Sequence, residues 1–197
     1  MKLSLNRILI QIFLIFLLFT FTGCTDSGNV GPQEYYALIS KAKEFLNFSI
    51  YIINGDCKYW CQLFSRIYYC YFSLARIVFI SKRGFDDEVN HKDIWQLSKK
   101  DVRHEYGIEL KHIRTHFDYD YNSFEVDVNS PEFKNYLQFI IRNKKTFQIF
   151  IKDVREQIPK FYRHHEDSEF WIQKCNNQLD SIVELQKELE NHIQKRI

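Results

Sequence analysis

The sequence predicts an all-α fold, an up-and-down bundle of four to five helices with an additional C-terminal helix. Three observations predict it. From about residue 34 onward, apolar residues recur mostly at spacings of three and four. No alternating apolar and polar run of strand length interrupts them. Six Gly and three Pro in 197 residues leave few breakers. With 45% apolar and 17% aromatic residues, the same composition excludes a disordered, collagen-like or linker protein, and the length fits one domain.

Residues 1–23 read as a signal peptide. Lys2 and Arg7 form a basic start, Ile8 to Phe19 is apolar except for Gln11, and Thr20 to Gly23 gives a small-residue exit. The apolar run is short of the roughly 20 residues of a comfortable membrane span. Phe21-Thr22-Gly23-Cys24 resembles the bacterial lipobox, in which the cysteine is lipidated and becomes the mature N-terminus, although Phe21 stands where Leu, Val or Ile is usual. Cys24 is therefore the expected lipidation site, and the membrane a partner through that lipid. The alternatives are an uncleaved inner-membrane anchor and a cytoplasmic protein with an early start. The chain's 27 Lys and Arg against 25 Asp and Glu give +2, and both surplus charges are Lys2 and Arg7. The remainder is neutral, so net charge gives no argument for nucleic-acid binding. Residues 24–33, polar with two Gly and a Pro, read as a tether.

The helical part divides into a bundle over 34–158 and a C-terminal arm over 160–197. Tyr36, Leu38, Ile39, Ala42, Phe45, Leu46, Ile50 and Ile53 define a helix over about 34–53, stopped by Asn54-Gly55-Asp56. A second, over about 58–82, is apolar on nearly every face and ends in Lys82-Arg83-Gly84, which marks it as the central helix. A third is expected from His91 to about His104 and a fourth over about 108–120, with Gly107 between them. Ser130-Pro131 supplies an N-cap and a Pro at the first position of a helix whose stripe runs from Phe133 to Ile158 and ends at Pro159, with a break expected near Lys144-Lys145. The last helix starts near Asp167. Its stripe (Ile172, Cys175, Leu179, Ile182, Leu185 or Gln186, Leu189, Ile193) suits either packing within the chain or a homodimer seam.

Taken together, Tyr68-Tyr69 in the second helix, Gly84, His91 opening the third, and Arg114-Thr115-His116-Phe117-Asp118-Tyr119 resemble the HEPN superfamily, small helical domains of prokaryotic toxin and defence systems. The resemblance covers about 60–150 and rests on the order and spacing of these pieces. It implies a helical bundle that often pairs into dimers, with ribonuclease activity in some members. The catalytic branch carries Arg followed by four to six residues and His. None of the ten arginines here has a His in that window, Arg83 and His91 missing it by one residue. No catalytic residue or cofactor is therefore assigned. The candidate ligand- or partner-binding residues are His91, Arg114, Asp118 and Tyr119. Arg114 and Asp118 stand at i and i+4, where an ion pair is the plain reading; a polar groove for a phosphate or a partner loop is the sharper one.

Of the remaining cysteines, Cys70 and Cys175 read as core residues and Cys57–Cys61 as a strained disulfide candidate. No Cys or His set completes a zinc site, and His112/His116 and His164-His165 lack converging partners, so no metal is expected. Arg142, Lys144, Lys145, Lys152 and Arg155 read as a solvated basic face, with an anionic surface as the alternative. Two functions follow: a lipid-tethered, exported binding module with an unknown protein partner or a second copy, or an RNA-directed HEPN protein facing the cytoplasm.

Overall fold

The structure is a computed structural model that describes residues 30–55, 59–83, 94–95, 102–120 and 126–197. The signal, the lipidation candidate Cys24, most of the tether, Cys57 and His91 lie outside the described residues. The protein is an all-α helical bundle built from α1 (Pro32–Asn54), α2 (Cys61–Arg83), α3 (Val102–Thr115), a π-helical turn (His116–Asp120), α4 (Pro131–Arg142), α5 (Lys144–Tyr162) and α6 (Ser168–Gln194).

Helix α2 is the axis. Leu63, Phe64, Ile67, Tyr68, Cys70, Tyr71, Leu74, Ile77, Phe79 and Ile80 are buried around its whole circumference, as its apolar sequence requires. It is the one described helix long and apolar enough to cross a membrane, and most of it is covered by its neighbours. Helix α1 runs antiparallel to it, with Tyr35 bonded to Ser81 at 2.9 Å at one end and Arg66 lying over Phe48 nearer the other. Helix α3 is also antiparallel, bringing Tyr106 against Tyr71 and Phe117 against Phe64. Helices α4 and α5 follow α2 in its own direction, Phe133 meeting Phe64 and Phe150 meeting Tyr71.

The α4 N-terminus is built as expected, the Phe133 amide donating to Ser130 Oγ at 3.2 Å with Pro131 in the first turn. The expected break near Lys144-Lys145 falls at Asn143, whose side chain donates to the Phe139 carbonyl. Two boundaries differ from the sequence reading. Gly107 does not separate two helices: α3 runs through it. A Cβ there would sit 2.2 Å from the Trp95 ring, so the missing side chain is a seat for that buried indole and not a chain breaker. Helix α5 also continues past Pro159 to Tyr162. The lost Pro159 N–H bond is outweighed by what the extra turn buries: Phe161 stacks on Tyr35 at 4.0 Å, and Tyr162 donates to the Pro32 carbonyl at 2.8 Å.

The last helix is part of the same core. Cys175, Leu179, Ile182, Leu189 and Ile193 are fully buried, and α6 lies parallel to α1. Gln178 bonds Tyr36 near one end, and Asn54 bonds His192 near the other. The stripe that could have been a dimer seam is thus covered within the chain. Where the sequence left Leu185 or Gln186 open, the buried residue is Gln186.

Burial raises the phenol pKa of Tyr35, Tyr71, Tyr106 and Tyr162 well above the usual value, and that of Tyr68 to about 12. A tyrosine whose folded pKa is raised keeps its stabilising contribution below the unfolded value near 10 and loses it as pH climbs through the folded value. Ultraviolet titration should therefore show these phenols silent at pH 10, then ionising together with loss of helical circular dichroism above it. Independent, reversible ionisation at pH 10 with helicity intact would contradict this packing.

Candidate functional site

The site is assembled where the first half of α2 faces the end of α3. On α2, Cys61, Ser65 and Tyr68 or Tyr69 follow one another at helical spacing. The antiparallel α3 delivers Arg114 opposite them, and the π-helical turn delivers Asp118. In this turn Phe117 points inward, stacked on Phe64 at 4.7 Å and 2% exposed, while the next residue, Asp118, turns back toward α2. π-helical turns are rare and concentrate at functional sites.

Arg114 Nε donates to Asp118 Oδ2 at 2.7 Å, and Ser65 Oγ donates to the same oxygen at 3.3 Å. The side chains are 16% and 14% exposed, so the pair is better shielded than a surface i, i+4 pair. The Arg114 guanidinium lies over the Tyr69 ring at 4.9 Å and the Tyr68 ring at 5.6 Å. Tyr68 is fixed in turn by the Trp95 indole, which donates to its hydroxyl at 3.3 Å.

A second guanidinium, Arg66, comes from the same stretch of α2. Arg66 donates from Nη2 to Gln62 Oε1 at 3.1 Å and lies over Phe48 at 5.2 Å and Phe45 at 5.9 Å. Among the described residues its buried Nε has no hydrogen-bond partner. Burial lowers its pKa, with the charge of Asp118 acting the other way. Asp118 is thus bonded to Arg114 and acts on Arg66 only through its charge, while aromatic rings flank both guanidiniums. Burial first, and then the charge of Asp118, raise the Cys61 thiol pKa, which disfavours the thiolate that nucleophilic chemistry would need.

Of the sequence candidates, the structure brings Arg114 and Asp118 together with the Tyr68-Tyr69 pair. His91 and the side chain of Tyr119 lie outside the described residues. Ser65 and Arg66 were missed. The signal for Arg66 was present, since Arg66 and Arg76 are the only charges between Cys61 and Ser81, and a charge inside a central helix requires a reason.

The other clusters remain separate. His116 faces Glu132 at 3.3 Å, while His112 is exposed. No three His, Cys, Asp or Glu side chains converge on a metal position among the described residues. Cys61, Cys70 and Cys175 are buried. On the basic face of α4 and α5, Arg142 bonds Gln138, Lys152 pairs with Glu156, and Arg155 with Asp180.

Comparison of the chain with family models, curated proteins and solved structures finds no match.

Proposed function

We propose that this chain is a membrane-tethered helical binding module of HEPN-like organisation, and that Arg66, Arg114 and Asp118 form its recognition site for an anionic group of a partner. The observation that carries the reading is the half-buried Arg114–Asp118 pair set over the Tyr68 and Tyr69 rings, beside the stretch of α2 that holds Arg66, whose Nε–H lacks an acceptor among the described residues. A buried donor without a partner costs about 1–3 kcal/mol, and an incoming carboxylate or phosphate oxygen would remove that cost. Guanidinium pairs suit such oxygens because their planar donors match them in geometry. The tether is the lipid expected on Cys24, supported by the basic, apolar and small-residue order of residues 1–24.

The tether is tested by metabolic labelling with a palmitate analogue. Label is expected in the wild type and absent from Cys24→Ala; no label in the wild type, or equal label in the variant, removes this part of the reading. The site is tested by thermal-shift titration with inorganic phosphate and with a single-stranded RNA oligonucleotide. Arg114→Ala is expected to destabilise the fold by about 1–2 kcal/mol, because among the described residues Asp118 then keeps Ser65 as its direct donor, and to abolish the upward shift that phosphate produces in the wild type. A variant that loses stability yet responds to phosphate as the wild type does would reduce Arg114–Asp118 to a structural ion pair. A response to RNA far exceeding that to phosphate, together with a cytoplasmic topology reporter, would favour the RNA-directed alternative.

A further inference from the structure

An aromatic face lies at the end of the bundle where α1 begins, away from the arginine cluster. Tyr36 near the start of α1, Phe161 near the end of α5, and Phe170 and Trp171 near the start of α6 gather there. Buried Tyr35 and Tyr162 form its floor, Phe161 stacking on Tyr35 at 4.0 Å and Trp171 on Tyr162 at 6.1 Å. The Trp171 ring reaches Tyr36 at 6.0 Å and Phe170 at 5.4 Å. Phe170 is 56% exposed, and Tyr36, Phe161 and Trp171 are partly exposed.

The Lys174 ammonium stands 4.5 Å from the centre of the Tyr36 ring, 4.9 Å from that of Trp171 and 5.4 Å from that of Phe170. A cation held over exposed rings, its stem along the apolar surface, suits a boundary between an apolar phase and water. Charge does not distinguish this face. Around the α5–α6 turn Lys160, Arg163 and Lys174 are matched by Glu166, Asp167 and Glu169, so what the face offers a partner is its rings.

Exposed rings alone do not choose a partner, since Tyr51 and Tyr59 are exposed at the opposite end of the bundle. The place of the tether does. The chain enters the fold at the Tyr36 end, where Tyr162 donates to the Pro32 carbonyl at 2.8 Å, and Pro32 stands eight residues after Cys24. Fully extended, those residues reach about 29 Å at roughly 3.6 Å each. The 23 residues of α1 set the opposite end about 35 Å farther along at 1.5 Å per residue. A membrane that holds Cys24 is therefore held against the end that carries Phe170 and Trp171.

We propose that this aromatic face rests on the bilayer surface, Phe170 entering the headgroup region with Trp171 and Tyr36 at its boundary; this builds on the membrane tether proposed above. Trp and Tyr favour that boundary because their rings are apolar and their N–H or O–H stays within reach of water. One exposed ring and its half-buried neighbours make a weak contact in free solution, and the tether makes that contact intramolecular, at a high effective concentration. The arginine site then gains a position. Because α2 runs antiparallel to α1, its first half, with Arg66 and the facing Arg114, is held at the end away from the bilayer, where a partner can reach it.

The three tryptophans, Trp60, Trp95 and Trp171, report the contact. Trp95 is buried, and Trp60 lies at the opposite end under Arg196. The full lipidated chain is reconstituted into zwitterionic phosphatidylcholine vesicles with and without acyl-chain-brominated lipid, and flotation and tryptophan emission are read together. Brominated lipid is expected to quench the wild type and Trp60→Phe alike, and the quenching is expected to be lost in Trp171→Phe, which keeps a ring against Tyr162. Phe170→Ser, at an exposed position, should lower the quenching with helical circular dichroism unchanged. Anionic phosphatidylglycerol in the vesicles should leave these results as they are. A wild type that floats with the vesicles but is not quenched, quenching that survives Trp171→Phe, or quenching lost equally in Trp60→Phe overturns the proposal and leaves the tether standing. Quenching confined to anionic vesicles also overturns it, since charge and not the rings would then hold the face. A wild type that does not float removes the tether and the docking with it.

Discussion

Gly107→Ala is expected to destabilise the protein by about 2–3 kcal/mol, at the upper end of what overpacking a core costs. The sign is opposite to the usual one, for alanine replacing a helical glycine ordinarily stabilises by about 1 kcal/mol. Here a Cβ would fall 2.2, 2.4 and 2.5 Å from three atoms of the Trp95 ring. The indole has little freedom to withdraw. It is 1% exposed, packs against Phe72 and Phe150, and donates to the Tyr68 hydroxyl. The measurement is chemical denaturation of Gly107→Ala, Trp95→Leu and the double variant. Trp95→Leu alone should cost about 2–4 kcal/mol through the space it leaves, but in that background the alanine should be neutral or stabilising. A Gly107→Ala cost that persists undiminished after Trp95→Leu would show that the glycine is needed for some other reason. Since Tyr68 carries the Trp95 bond on one side and the Arg114 guanidinium on its face, the first variant should also weaken the phosphate response.

That glycine shows where sequence reasoning stops. The bundle was legible because helical periodicity and burial are local: the apolar circumference of α2 and the Ser130-Pro131 cap each announce their structure within a few residues. Gly107 read as a boundary because, locally, glycine is a poor helix residue; its partner Trp95 is twelve residues earlier and makes no mark on the sequence around Gly107. Pro159 misled for the same reason. The turn after it is held by Tyr35 and Pro32, more than 120 residues away along the chain. At the site, Arg114 and Asp118 could be paired from their spacing alone. Ser65 and Arg66 could not be joined to them, because that contact depends on how α2 and α3 face each other and on a π-helical turn. Gln186 was ambiguous with Leu185, since both fall within the width of one apolar stripe and only packing against the rest of the bundle chooses between them.

The largest effect is expected from removing α6. A chain ending at Pro159 keeps all of the segment, about 60–150, whose sequence resembles a HEPN domain, yet it loses Tyr162 and the five fully buried apolar residues of α6, Cys175, Leu179, Ile182, Leu189 and Ile193. At about 1.5–3 kcal/mol for each large side chain, their burial contributes on the order of 10 kcal/mol before the entropy of ordering the helix is subtracted. The net stability of a whole domain is about 5–15 kcal/mol, so the truncated chain should lack a cooperative thermal transition and associate through the uncovered side of α1. A single substitution makes the same point without shortening the chain. Ile182→Asp places a carboxylate on the fully buried face, where an unpaired charge is too costly to retain, and it should likewise abolish the transition. Ile182→Val, which removes one methylene, should cost only about 0.5–1.5 kcal/mol. If the chain ending at Pro159 instead melted cooperatively as a monomer, α6 would be an appendage and residues 34–158 a self-sufficient unit. The contacts argue against that: α6 is laced to α1 near both ends, through Gln178–Tyr36 and His192–Asn54, and Arg196 donates to the Ile53 carbonyl while lying over Trp60 at 4.7 Å. These bonds hold the C-terminal helix against the first helix of the fold, which is why its stripe is available as core and not as a surface for a second copy.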